Sequence, residues 1–148
     1  MGQALPPANS ASNVSPELLF YDGHCGLCHR AVLFVIRHDP HGMCFRFAPL
    51  QGETFRSRLT ENQRTKLPDS MIIETQNGAL LLRSDAWIHI LLKLGGKWKL
   101  LATLLSLAPR PARDFFYKRI AALRHKLFRR RDEVCPLVPP ELSARFNP

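Results

Sequence analysis

Residues 17–38 read ELLFYDGHCGLCHRAVLFVIRH, and the fold turns on how this stretch divides. Glu17–Tyr21 is a short apolar run that meets Asp22-Gly23 at once, which predicts a buried strand ending in a turn. From Leu27 the period changes. Leu27, Ala31, Phe34 and Val35 fall on one face of a helix, and Asp39-Pro40 with Gly42 breaks it after His38. Between strand and helix stand Cys25 and Cys28.

Working outward, Cys44–Ala48 (CFRFA) alternates aromatic and polar residues, as a second strand would. Residues 52–66 are polar with weak helical signals, and a short helix is expected there. Ser70–Thr75 predicts a third strand. Asn77-Gly78 is a hairpin signal that leads into a fourth, Ala79–Leu82. Ser84-Asp85 offers a helix N-cap, Trp87, Leu91 and Leu94 follow at helical spacing, and Gly95-Gly96 ends that helix. A βαβ unit followed by a ββα unit is an α/β, thioredoxin-like arrangement, with residues 27–38 as the crossover of the parallel pair.

Past the four-stranded core come additional C-terminal helices, from about residue 97. Trp98–Leu107 is apolar nearly all round with a lone Lys99, too apolar to stand in water, so these helices are expected to cover part of the core. Pro109 and Pro111 separate it from a last helix striped by Phe116, Ile120, Leu123 and Leu127. The remainder, with Pro136, Pro139, Pro140 and Pro148, reads as an extended tail. Residues 1–16 read as a disordered leader, and 17–148 as a single domain.

Composition agrees with one globular domain: 148 residues, 45% hydrophobic and 22% charged, are enough for a core without disulfides. Four cysteines are too sparse for a disulfide scaffold. The leader carries no Lys, Arg or apolar run, unlike a secretory signal. No apolar stretch approaches the ~18 residues of a membrane span. A soluble protein of a reducing cytoplasm is the expectation.

The net charge of +9 is unevenly placed: residues 1–92 hold eight basic and eight acidic residues, whereas 93–131 hold twelve basic residues against Asp114 alone. Lys118, Arg119, Arg124, Lys126 and Arg129–Arg131 would support weak contact with a membrane surface through the basic C-terminal helix. No nucleic-acid-binding motif accompanies the charge, so no specific nucleic acid is expected. The plainer reading is a solvated helix face backed by core. Neutralising Arg129–Arg131 is expected to leave reduction of a small disulfide nearly unchanged, because the segment lies beyond the minimal thioredoxin-like unit.

The chemistry centres on Cys25-Gly26-Leu27-Cys28. Two intervening residues let both sulfurs meet in the first helical turn. Unpaired N–H groups and the helix dipole at that end favour an anion, so the Cys25 thiol is expected below the free value of about 8.5. Cys25 is then the attacking thiolate and Cys28 the resolving thiol. A CxxC between a strand and a helix of a βαβ unit is a redox signal.

Tyr21-Asp22-Gly23-His24-Cys25-Gly26-Leu27-Cys28 resembles the signature of the DCC family of thiol-disulfide oxidoreductases. Phe45-Arg46-Phe47-Ala48 with Leu50-Gln51, Ser84-Asp85-Ala86, Leu94-Gly95-Gly96, Pro109-Arg110-Pro111, Tyr117 through Arg124 and Cys135-Pro136-Leu137 resemble further parts of it, over roughly residues 18–146. The resemblance implies a thioredoxin-like fold and thiol-disulfide exchange without cofactor or metal. The expected partners are a protein or small-molecule disulfide substrate and a dithiol electron donor. Two departures from the better-known thioredoxin pattern stand out: His24 replaces the usual Trp, and no Pro opens the third strand, Pro68 being the nearest.

Catalytic candidates are thus Cys25, Cys28 and Asp22, which would accept or relay a thiol proton or else cap the turn. His24, Ser84, Asp85 and Cys135 are auxiliary candidates: a protonated His24 would stabilise the thiolate, and Cys135 would dock back as a third redox cysteine. Cys44 is expected to pack as a small hydrophobe. Three other readings remain. Cys25 to His29 also spells the haem-attachment pattern CxxCH, which colour would decide. A zinc site would recruit Cys44, Cys135, His24 or His29 to the pair, though no second CxxC is present. The third is a basic membrane- or nucleic-acid-associated module whose CxxC is structural.

Overall fold

The computed structural model describes residues 15–68, 70–127 and 140–148. Its elements run β1 (Glu17–Tyr21), α1 (Gly26–His38), β2 (Phe45–Pro49), α2 (Glu53–Arg58), α3 (Glu61–Lys66), β3 (Ile72–Glu74), β4 (Leu80–Leu82), α4 (Arg83–Leu94), α5 (Gly96–Leu107) and α6 (Arg110–Leu127). A short 3₁₀ helix follows at Pro140–Arg145.

The sheet order is β2-β1-β3-β4. β1 pairs parallel with β2, Leu19 opposite Phe47, and antiparallel with β3, Leu19 opposite Ile73. β3 and β4 form the Asn77-Gly78 hairpin, antiparallel with Ile73 opposite Leu81. Gly78 sits at φ +77°, the left-handed region this tight turn requires. This is the thioredoxin-like α/β arrangement. β1 is central and every residue of it is buried, as expected of a strand covered on both faces.

The two faces carry two cores. Leu19, Tyr21, Phe45, Phe47 and Ile73 meet Val32 and Val35 of α1 and Ile90 of α4. Leu18, Phe20, Ala48 and Ile72 meet Phe55 and Leu59. Residues 52–66 form two short helices rather than one. The second is nucleated by a capping box in which Thr60 and Gln63 each bond the other's backbone.

Two expectations fail and one is met only at an edge. Ser84-Asp85 does not cap α4. β4 passes into α4 with no loop, Leu82 stands at the N-cap without a side-chain bond, and Arg83 turns the corner at φ +52°. The helix starts early because β4 is so short. Ser84 and Asp85 then lie within the first turn, and their side chains reach α6 instead. Secondly, α5 covers the core only along one edge, where Trp98 packs on Phe34 and His38 of α1. It packs along α4 with Ala102 fully buried, while Leu100, Leu104 and Leu107 are 65%, 57% and 77% exposed. A helix apolar all round can bury only the faces its neighbours offer, and α4 and the end of α1 leave the leucine face of α5 without a partner.

Thirdly, the end of the chain is not an extended tail. Phe146 bridges Phe47 in parallel along β2, and the Asn147 N–H donates to the Phe47 carbonyl (2.8 Å). The Phe146 ring packs on Phe47 and Tyr21. The segment covers an edge strand that would otherwise present unpaired backbone.

Candidate active site

β1 ends at Tyr21, and the next four residues are shaped by one carboxylate. Asp22 is 4% exposed. Its Oδ1 accepts the His24 N–H (3.0 Å), a side-chain turn of the kind Asp favours, and its carbonyl accepts the Cys25 N–H (3.2 Å). Gln51 braces the same loop from beyond β2: its Nε2 donates to Asp22 Oδ1 (3.0 Å) and its Oε1 accepts the Gly23 N–H (3.2 Å). The Leu50 N–H closes onto the Tyr21 carbonyl at 2.9 Å, so the ends of β1 and β2 hold the loop together.

This loop delivers Cys25 to the N-cap of α1 in extended conformation. The Cys28 N–H, one of the unpaired donors of the first turn, donates to Cys25 Sγ at 3.4 Å. A thiolate accepts such a bond better than a thiol, and the N-terminal end of the dipole adds to the same preference. Both cysteines are 6% exposed and belong to the core cluster between α1 and the sheet. Asp22 therefore acts on the position of Cys25 through the backbone. His24, half-buried, is the residue next to Cys25 in this loop.

Beside Cys28 opens an apolar groove of about 440 Å³. Leu27, Cys28 and Ala31 of α1, Met71 before β3, Trp87 of α4, and Tyr117, Ile120 and Ala121 of α6 line it, with Arg30 its charged member. Met71 takes the position at the entry of β3, and Pro68, whose peptide bond is trans, is not in the lining.

The other candidates lie elsewhere. Ser84 Oγ donates to Asp114 Oδ1 (2.7 Å), and Asp85 takes Arg110 (2.6 Å) and Arg113 (3.2 Å), so this pair joins α4 to α6. Cys44 packs partly buried against the core, its Sγ directed at the Lys93 carbonyl (3.8 Å). Burial raises its pKa, and the nearby Asp39 carboxylate adds to the rise. Cys135 and Arg129–Arg131 lie outside the described residues, among which no three His, Cys, Asp or Glu side chains converge as a metal set. Sequence reasoning missed Gln51, although Leu50-Gln51 was part of the family resemblance. It also missed the groove role of Met71, Trp87 and Tyr117, because apolar residues of strands and helices read first as core.

Comparison with known proteins points to one family. The family DCC1-like thiol-disulfide oxidoreductase matches residues 19–130. The chain is 34% identical to the uncharacterized protein YuxK of Bacillus subtilis, over 94% of this chain and 99% of that protein. It is 31% identical to a chloroplastic DCC family protein of Arabidopsis thaliana, over 78% of this chain and 66% of that protein. No solved structure matches it.

Proposed function

The chain belongs to the DCC1-like thiol-disulfide oxidoreductase family, and on that premise we propose that Cys25 and Cys28 are a redox dithiol that reduces protein disulfides. The observation that carries this reading is Cys25 at the N-cap of α1 with the Cys28 N–H on its Sγ. The Cys25 thiolate attacks one sulfur of the substrate disulfide. The S–S bond breaks, a Cys25–substrate mixed disulfide forms, and the departing thiolate takes up a proton. Cys28, having lost its proton, attacks Cys25 Sγ, releases the second substrate thiol and closes the Cys25–Cys28 disulfide. Two electrons pass from the dithiol to the substrate, and a dithiol donor restores the reduced pair. This direction goes with a cytoplasmic, reducing location.

Asp22 is a positioning residue in this scheme. The groove beside Cys28 receives apolar side chains that flank the substrate disulfide, with Met71 at the wall where thioredoxins place a proline. The test is to trap partners with each single variant. Cys28→Ser is expected to accumulate mixed disulfides through Cys25, since attack survives and resolution does not. Cys25→Ser is expected to trap nothing. Full insulin-disulfide reduction by both variants would overturn the assignment.

A further inference from the structure

The helices beyond Gly96 leave an unusual surface. On α5, Leu100, Leu104 and Leu107 point opposite the buried Ala102, and all are more than half exposed. On α6, Phe116, Ile120 and Leu123 form a second stripe, 66%, 58% and 52% exposed. The cations stand beside these apolar groups. Lys97 lies over the Trp98 ring at 5.1 Å, and Arg119 over the Phe115 ring at 5.1 Å. Lys99 and Lys118 are exposed on the same helices. The one acid of residues 93–131, Asp114, is engaged by Ser84.

We propose that α5 and α6 seat this protein on an anionic lipid surface, apolar side chains inserted and Lys and Arg at the headgroups. The pattern is that of interfacial helices, whose binding joins buried apolar area to attraction for anionic lipid. No described helix is long and apolar enough to cross a membrane, so the contact is one of lying on the surface. Charge argues against a second copy as the occupant, because two such faces would bring like charges together. Nucleic acid fits the cations and leaves the leucines and phenylalanines in water. Ile120 belongs to both the exposed stripe and the wall of the groove beside Cys28, so the lipid surface lies next to the mouth of that groove. The seating stands on exposure and charge, and does not depend on the redox reading.

The test is flotation of the full chain with vesicles of phosphatidylcholine alone or mixed with phosphatidylglycerol. Binding to the mixed vesicles, weakening as salt rises, is expected, with little binding to phosphatidylcholine. Each of Lys99→Ala and Lys118→Ala is expected to lower partitioning about five-fold. Leu100→Ser with Leu104→Ser is expected to lower it at least about ten-fold. Circular dichroism reports whether these variants keep the wild-type fold. Phe116→Ser with Leu123→Ser probes α6 in the same way should the α5 variant unfold. Absence of binding to anionic vesicles at low salt would overturn the proposal. So would a concentration-dependent dimer abolished by the α5 substitutions, or an acidic protein partner that competes for the same face while vesicles do not bind.

Discussion

Asp22 and Gln51 hold the loop before Cys25 through hydrogen bonds to its backbone and to each other. Gln51 supplies one N–H to a buried carboxylate and takes one N–H from Gly23. Gln51→Ala is expected to cost about 1–2 kcal/mol, seen as a lower midpoint in urea unfolding. It should also slow insulin reduction several-fold, because Cys25 is no longer held at the helix start. Gln51→Glu should be worse, since it sets a second carboxylate against Asp22. At Cys44, burial favours the neutral thiol. Iodoacetamide near neutral pH is expected to label it more slowly than a free thiol. Because its folded pKa is raised, the stabilisation it gives is complete below the unfolded value and is lost as pH rises through the folded one. Cys44→Ala should therefore flatten the decline of stability in that alkaline range. The cysteine pair at the start of α1 was legible from spacing. The Asp22–Gln51 bond joins residues 29 positions apart, and no local pattern announces it.

Among the elements, the α1–β2 connection and the end of the chain are one structure. Asp39, which caps the C-terminus of α1, accepts N–H groups from Met43, Cys44 and Phe45 (3.0, 3.1 and 3.2 Å). Arg145 completes the cluster with Nη2 on Asp39 Oδ2 at 2.9 Å and Nη1 on the Asp39 carbonyl at 2.8 Å. Its guanidinium also lies over the Phe47 ring. Both side chains are largely buried, so removing one charge strands the other. Arg145→Ala is expected to lose about 3 kcal/mol, a fall in melting temperature of roughly 10 °C by calorimetry. Arg145→Lys should recover part of it through the charge alone, without the fork that reaches both oxygens. The elements themselves were largely readable from period and turn residues. The start of α4 was not, because Ser84-Asp85 has the composition of a cap while the short hairpin had already begun the helix. There Asp85 serves α6 through Arg110 and Arg113.

For the whole molecule, the contrast is between a sheet core covered on both faces and a helical extension that buries little. Ala102 is the only residue of α5 in the core, whereas every residue of β1 is buried. Amides of α5 are therefore expected to exchange with deuterium by local opening, at least about a hundred-fold faster than those of β1. Equal protection would show that α5 unfolds only with the core. The βαβ–ββα order, the position of the cysteine pair and the basic character of residues 93–131 were readable along the chain. These follow from local period, turn chemistry and charge, which are properties of neighbours along the chain. Tertiary structure alone decided that Gln51 braces the cysteine loop, that Met71, Trp87 and Tyr117 wall the groove, and that residues 140–148 return to β2. It also decided that the leucines of α5 stay outside. Hydrophobicity sets how strongly a side chain avoids water, but which face finds a partner depends on how much surface the rest of the fold has left to offer.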